Sequence, residues 1–131
     1  MIGMGANPRV VIVDDSKSNL DVFCEFLTLN NVDVVGQGKN GIEAVQLFEQ
    51  YDPDVVLADL AMPVYDGYFA LNNILAVDKN AKVVIITALE GKKDTPKLLK
   101  LGAVDVLQKP IDLNRVVDVI NNIFKEKILQ V

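Results

Sequence analysis

The sequence predicts an α/β fold: a doubly wound (βα)5 protein whose parallel sheet, in strand order 2-1-3-4-5, lies between two layers of helices as a three-layer sandwich. Three short segments are continuously apolar: Val10–Val13, Val55–Ala58 and Val83–Ile86. Such runs are typical of strands that are buried on both faces of a parallel sheet. The segments between them carry apolar residues three and four positions apart, which is the spacing of one helix face. Alternating strands and helices with right-handed crossovers give this architecture.

The first half of the chain is predicted to form three strands and two helices. Ser16 can cap the first helix, whose apolar stripe includes Leu20 and Leu27. A turn at Asp52-Pro53-Asp54 precedes the third strand. In order, the predicted elements are strand 1 (Val10–Val13), helix 1 (from Ser16 to Asn30-Asn31), strand 2 (Asp33–Gly36), helix 2 (Gly41–Tyr51, burying Ile42, Val45 and Phe48) and strand 3 (Val55–Asp59).

The second half continues the alternation with three helices and two strands. Pro96 stands near the start of the fourth helix, where proline is tolerated, and Gly102 is expected to end that helix. The predicted elements are helix 3 (after Gly67, burying Leu71, Ile74 and Leu75), strand 4 (Lys82–Thr87), helix 4 (about Asp94–Leu101), strand 5 (Asp105–Gln108) and helix 5 (Asp112 to about Lys127, with Leu113, Val116, Val117, Ile120 and Phe124 on one face).

The composition indicates one cytoplasmic domain. We expect residues 1–8 to form a loose tail, residues 9–128 the domain and residues 129–131 a short tail, because 131 residues make one domain of ordinary size. The net charge of −5 argues against direct nucleic-acid binding. No apolar run approaches the ~18 residues of a membrane helix, and the first residues do not resemble a signal peptide. The single cysteine, Cys24, excludes an intrachain disulfide and fits a reducing compartment.

Five polar residues stand where the apolar strands end: Asp14, Asp15, Asp59, Thr87 and Lys109. In open α/β sheets, ligands bind at the carboxyl ends of the strands, so these side chains are expected to converge. The chain contains no histidine, which removes imidazole bases and most zinc sites. Chemistry at this edge therefore has to use carboxylates, a hydroxyl, an ammonium group or a hard metal ion.

Three converging carboxylates require positive charge nearby, because they repel one another at low local dielectric. Lys109 supplies one charge, and Mg²⁺, which prefers carboxylate oxygens, would supply two and make the site neutral. A carboxylate can also act as a nucleophile toward a phosphoryl group and form an acyl phosphate. No general base is needed for that reaction, since a carboxylate carries no proton at neutral pH.

The order of these motifs resembles the receiver domain of two-component response regulators, a CheY-like domain with a flavodoxin-like fold. The resemblance spans about Arg9 to Lys127. Five motifs in one order and at these spacings form a specific pattern. The motifs are Val13-Asp14-Asp15-Ser16, Asp59 with Met62-Pro63 and Asp66-Gly67, Thr87-Ala88, Gly102-Ala103, and Lys109-Pro110.

The resemblance implies a role for each site residue. Asp59 is expected to be the phosphoacceptor, while Asp14, Asp15, Asp59 and the backbone carbonyl of Ala61 are expected to hold Mg²⁺. Thr87 and Lys109 are expected to bind the phosphoryl oxygens. It also implies a cis bond between Lys109 and Pro110, which the chemistry of X-Pro bonds permits.

The resemblance further implies partners and a switching function. The phosphoryl donor would be a sensor histidine kinase or a histidine phosphotransfer protein. The output partner would bind the face formed by helix 4, strand 5 and helix 5, and the protein would be a monomer or a phosphorylation-dependent dimer. A domain of this kind is a switch, not an enzyme with a turned-over substrate. Both a free-standing signalling protein and a module of a longer regulator remain open.

Two positions depart from the family pattern. The family usually has Tyr or Phe three residues before the lysine, where this chain has Val106, so the usual aromatic readout is not expected. Ala61 and Leu89, two positions beyond Asp59 and Thr87, are both apolar. We expect this pair neither to orient nor to activate a water molecule that attacks the acyl phosphate.

Two alternative functions fit part of the sequence. An Asp-nucleophile phosphatase would need a second acid two residues after Asp59, where this chain has Ala61. A dinucleotide site could use Gly36, Gly38 and Gly41, which fit the G-x-G-x-x-G pattern after a strand. That alternative leaves the acids and the lysine at the strand ends without roles, and we interpret the glycines instead as a turn that needs positive φ.

Overall fold

Strands and helices alternate along the whole described part of the chain, which comprises residues 6–88 and 93–129 in a computed structural model. The predicted tails lie largely outside these residues. All neighbouring strands are parallel, and their order is β2-β1-β3-β4-β5, as the sequence predicted. The elements are β1 (Arg9–Val13), α1 (Lys17–Leu29), β2 (Asp33–Gly38), α2 (Gly41–Tyr51), β3 (Val55–Asp59), α3 (Gly67–Val77), β4 (Val83–Thr87), α4 (Thr95–Leu101), β5 (Asp105–Gln108) and α5 (Leu113–Leu129).

The sheet separates two hydrophobic cores, because alternate residues of each strand point to opposite faces. Val11 of β1 faces the core formed with α2, α3 and α4, to which Leu71 and Leu98 contribute. Ile12 of β1 faces the core formed with α1 and α5, to which Leu20 contributes. Burial on both faces explains the continuous apolar runs that predicted the strands.

Short polar side chains begin the helices that follow the site strands. The Ser16 side chain accepts a hydrogen bond from the Asn19 N–H at 3.3 Å and thereby caps α1. Asp66 caps α3 by accepting from the Phe69 N–H at 3.0 Å. Gly102 ends α4 with φ of 116°, a left-handed conformation that favours glycine. None of the described helices is both long enough and apolar enough to cross a bilayer.

The structure corrects three predicted details of the elements. In α2, Ala44 and Phe48 are buried, whereas Ile42 and Val45, which were predicted to be buried, are only half-buried. β2 continues to Gly38, two residues beyond its predicted end, because its last residues pair with Ile12 and Val13 of β1. In α5, Val119 and Ile123 are buried, whereas Phe124, predicted for the buried face, is only half-buried. The spacing of apolar residues shows that a helix is amphipathic but leaves its rotation against the sheet to packing.

The glycine-rich segment does not form the predicted turn. Gly36 and Gly38 lie within β2 and neither has positive φ. A Cβ atom would approach the Leu47 side chain at 3.0 Å from Gly36 and at 3.1 Å from Gly38. A Cβ on Gly41 would lie 2.7 Å from the Asp66 carbonyl oxygen. These glycines therefore allow α2 to pack closely against β2 and against the loop before α3, which gives them a structural role and removes the support for a dinucleotide site.

Candidate functional site

Three carboxylates meet at the carboxyl edge of the sheet. Asp14 follows β1 and Asp59 ends β3, and these two strands are neighbours at the point where the strand order reverses. Asp14 is 4% exposed and Asp59 is 5% exposed, whereas Asp15 is exposed to solvent. Carboxylate oxygens from all three lie within 4.8 Å of one another. The structure thus brings together acids that are 45 positions apart in the sequence.

The first turn of α1 holds Asp14 in place. Its Oδ1 accepts a hydrogen bond from the Ser16 N–H at 2.9 Å, and its Oδ2 accepts one from the Asn19 side chain at 3.2 Å. The Asp14 N–H donates to the Gly38 carbonyl at 3.0 Å, which ties the residue to β2. Asn19 was not predicted from the sequence to belong to the site. Its position in the first turn of a helix that starts just after Asp14 was the only available signal.

Lys109 pairs with Asp59 across the site. The distance from Lys109 Nζ to Asp59 Oδ1 is 3.2 Å, and about a third of the Lys109 side chain is exposed. Burial raises the pKa of Asp59 above its ordinary value, Lys109 opposes that shift, and the charges on Asp14 and Asp15 add to it. Burial and like charge together outweigh the ion pair with Lys109, so the surroundings of Asp59 favour its neutral form.

Thr87 and Lys109 are joined through the backbone at the ends of β4 and β5. The Lys109 N–H donates to the Thr87 carbonyl at 2.7 Å. Thr87 is 1% exposed, and its hydroxyl donates to the Ala88 carbonyl at 3.3 Å. The bond between Lys109 and Pro110 is cis, as the family resemblance implied.

The residues that depart from the family pattern lie beside the site. Ala61 is exposed in the segment between β3 and α3, where no carboxylate stands in the position that a phosphatase acid would need. Val106 is half-buried on β5 and packs against the core on the α3 and α4 side. Leu89 lies outside the described residues.

The chemistry of the donor set fits a hard divalent cation. Carboxylate oxygens are the ligands that Mg²⁺ and Ca²⁺ prefer, and three of these side chains offer oxygens within one small volume. Each oxygen of Asp14 accepts one hydrogen bond from the protein and therefore keeps a lone pair for another interaction. The site as a whole could hold one cation and one anionic group beside Lys109 and Thr87.

Comparison with known proteins identifies the family. Residues 10–121 match the family model of the response regulator receiver domain. The chain belongs to this family. The CheY chemotaxis protein of Treponema pallidum is 38% identical over 123 residues, which cover 92% of this chain and 85% of the relative. The CheY protein of Thermotoga maritima is 33% identical over 117 residues, which cover 89% of this chain and 98% of the relative.

Solved structures agree with this assignment. The chain superimposes on CheY of Borrelia burgdorferi, in a complex with CheX, BeF3 and Mg²⁺, with a TM-score of 0.85, 31% identity and 92% coverage of both chains. It also matches the response regulator domain of Thermotoga maritima CheB, with a TM-score of 0.83, 30% identity and coverage of 92% and 98%. Receiver domains are signalling domains of two-component systems, and the CheY-like fold predicted from the sequence is confirmed.

Proposed function

We propose that this receiver domain accepts a phosphoryl group on Asp59 from a sensor histidine kinase or a histidine phosphotransfer protein and thereby switches the binding of an output partner. The observation that supports this proposal best is the environment of Asp59. Its buried carboxylate lies 3.2 Å from one ammonium group and close to two further acids. This arrangement gives a nucleophile that is held in place and surrounded by groups able to bind both a cation and an anion.

Phosphoryl transfer would use the residues as follows. An oxygen of ionised Asp59 attacks the phosphorus atom, a new P–O bond forms, and the bond from phosphorus to the donor nitrogen breaks. The electron pair of that bond stays with the leaving imidazole. Lys109 and the Thr87 hydroxyl would bind oxygens of the transferred group, so the protein contributes mainly by positioning and by stabilising charge.

Asp14, Asp15, Asp59 and the backbone carbonyl of Ala61 would hold Mg²⁺. The bound ion would supply positive charge that offsets the carboxylates and the phosphoryl oxygens. Asp14 is already oriented by Ser16 and Asn19, so little side-chain freedom would be lost when it binds a cation. Asp15 is exposed, so its side chain can change conformation to reach the ion without losing buried contacts.

The output partner is proposed to bind the face formed by α4, β5 and α5. Leu99 of α4 and Val104, which lies just before β5, are exposed at 46% and 41%. Their apolar surface supports a contact with another protein, either a regulatory target or a second copy of the domain after phosphorylation. Val106 in place of an aromatic residue means that the usual ring movement cannot carry the signal to this face.

Mass spectrometry after incubation with acetyl phosphate and Mg²⁺ tests the assignment of Asp59. We expect one added phosphoryl group on the wild-type protein and none on Asp59→Asn. Asp54→Asn is the matched control, because Asp54 lies just before the same strand at its other end, and this variant is expected to be modified like the wild type. A phosphoryl group that persists on Asp59→Asn would refute the proposal.

The lifetime of the acyl phosphate tests the role of the apolar residue at position 61. Ala61 cannot orient an attacking water molecule, whereas an asparagine side chain could donate and accept hydrogen bonds there. We therefore expect Ala61→Asn to change the rate at which the phosphoryl group is lost, measured by mass spectrometry after the donor is removed. An unchanged rate would contradict this interpretation.

A further inference from the structure

Gln108 stands beside Thr87 on the same face of the sheet. The two residues are register partners in the β4–β5 pair, just as Ile85 and Val106 are. Leu107 belongs to the core on the α1 and α5 side, so its neighbours Val106 and Gln108 point to the opposite face. Thr87 points to that same face, because Ile85, two residues earlier, lies in the core shared with α3 and α4.

The side-chain nitrogen of Gln108 is a buried donor for which the described residues provide no partner. Within residues 6–88 and 93–129, its Nε2 is the buried side-chain atom for which the structure records no hydrogen bond. A buried amide that donates to nothing loses its hydration without compensation. Such groups are rare in folded proteins, and each one calls for an explanation. An acceptor that becomes available in another state of the protein is such an explanation.

Thr87 can provide that acceptor. Its hydroxyl has one proton, which it donates to the Ala88 carbonyl over a long distance of 3.3 Å. To donate to a phosphoryl oxygen, the hydroxyl must give up this bond and rotate. A hydroxyl oxygen can also accept hydrogen bonds, and nothing among the described residues donates to Thr87 Oγ1.

We infer that Gln108 is a positioning residue for the phosphorylated site: its Nε2 donates to Thr87 Oγ1 while the Thr87 hydroxyl donates to the phosphoryl oxygen. This inference rests on the proposed phosphorylation of Asp59. Hydrogen bonds in such a chain polarise one another, so the amide strengthens the bond from Thr87 to the anion. Because the donor is paired only when the anion is present, Gln108 also favours the phosphorylated conformation. It thereby gives β5 a polar link to Thr87 that Val106 cannot provide.

Beryllofluoride, a tetrahedral mimic of a phosphoryl group, is the probe for this role. Its affinity in the presence of Mg²⁺ is measured by NMR titration of the full chain, together with the affinity for Mg²⁺ alone. Gln108→Leu keeps the approximate size of the side chain and removes the amide. We expect this variant to bind beryllofluoride roughly five- to tenfold more weakly, which is the effect of one lost hydrogen bond to a site that holds an anion. Its affinity for Mg²⁺ alone should stay unchanged, because the three acids are intact.

Thermal unfolding distinguishes weaker binding by Gln108→Leu from a folding defect. Gln108→Leu should be at least as stable as the wild type without ligands, since it removes a buried donor that has no partner among the described residues. Gln50→Leu on the exposed part of α2 is the matched control, with wild-type affinity expected for beryllofluoride. In the wild type, the side-chain amide resonances of Gln108 should shift when beryllofluoride binds.

A double-mutant cycle with Thr87→Val separates positioning from general packing. If Gln108 acts through the Thr87 hydroxyl, Gln108→Leu should cause no further loss of beryllofluoride affinity in the Thr87→Val background. Equal losses in both backgrounds, or wild-type affinity in Gln108→Leu, would overturn the inference while leaving the proposed function intact. A wild-type protein that fails to bind beryllofluoride would overturn both.

Discussion

The two edges of the sheet use aspartate in opposite ways. At the carboxyl edge, three acids lie close together, and Lys109 pairs with Asp59, which is buried. At the amino edge, Lys127 Nζ lies 2.8 Å from Asp54 Oδ1, and the Arg9 N–H donates to Asp54 Oδ2 at 2.8 Å. Among residues 6–88 and 93–129, the first edge has three carboxylates beside one lysine, an excess of two negative charges, whereas Asp54 at the second edge is paired with one lysine and one backbone N–H.

This difference supports the proposal that the acids at the carboxyl edge bind a ligand, whereas Asp54 stabilises the fold. Asp54 links the end of α5 to the start of β3 through Lys127, and it also accepts a hydrogen bond from the Arg9 N–H. Asp59, at the other end of the same strand, has its pKa raised by burial and by like charge despite the pair with Lys109. A buried carboxyl whose pKa is raised in this way is typical of a site that binds a ligand.

Removal of Asp14 and Asp15, two of the three acids proposed to hold Mg²⁺, is expected to have the largest effect. In the wild type, Mg²⁺ at one hundred times its dissociation constant should stabilise the fold by about 2.7 kcal/mol, because it binds only the folded chain. Asp14→Asn combined with Asp15→Asn should abolish this stabilisation, measured as the Mg²⁺-dependent rise in Tm. Asp54→Asn, which lies at the amino edge, should keep the rise. A loss of the rise in both proteins would mean that the contrast between the edges is wrong.

Asp59→Asn is expected to raise the stability of the protein in the absence of divalent ions. Burial raises the pKa of Asp59, so the folded protein holds this proton more tightly than the unfolded chain does. The resulting stability is present below the ordinary carboxyl pKa and is lost as the pH rises through the raised pKa. The asparagine variant should lack this part of the pH dependence and have a Tm higher by a few degrees at neutral pH, which thermal melts across the pH range can measure. A lower Tm at neutral pH would show that the pair with Lys109 outweighs burial.

Lys127→Met is expected to lower stability, in contrast to the change at Asp59. It leaves Asp54, whose side chain is 14% exposed, without its ion pair. A loss of about 0.5–1 kcal/mol follows from the partial exposure of the lysine. Urea unfolding at neutral pH measures it, and phosphorylation by acetyl phosphate should be unaffected. A protein that is as stable as the wild type would show that this edge contributes nothing through its charges.

Lys17→Ala is expected to have the smallest effect, although Lys17 begins α1 close to the acidic site. Its ion pair with Asp21 joins side chains that are 83% and 62% exposed, so solvent screens the attraction. We expect the urea midpoint and the affinity for Mg²⁺ to match those of the wild type. A clear fall in Mg²⁺ affinity would show that residues beyond the five predicted from the sequence contribute to binding at the carboxyl edge.

Much of the site could be predicted because its residues occupy positions that local patterns define. Asp59 and Thr87 end apolar runs, and the ends of parallel strands meet at one edge wherever the chain places them. Asn19 and Gln108 could not be found in this way. Asn19 matters only because the first turn of α1 directs its amide to Asp14, and Gln108 only because β5 pairs with β4 in a register that puts it opposite Thr87.

The sequence by itself determined the order of the elements, the parallel sheet and the convergence of the acids, because hydrophobic periodicity and strand ends are local features of a chain. Only the tertiary structure decided how those elements face one another. It turned the Gly36 and Gly38 pattern into close packing against Leu47, and it joined Lys127 to Asp54 across 73 positions. It also raised the pKa of Asp59, since burial and the approach of like charges depend on contacts between distant segments that no local pattern encodes.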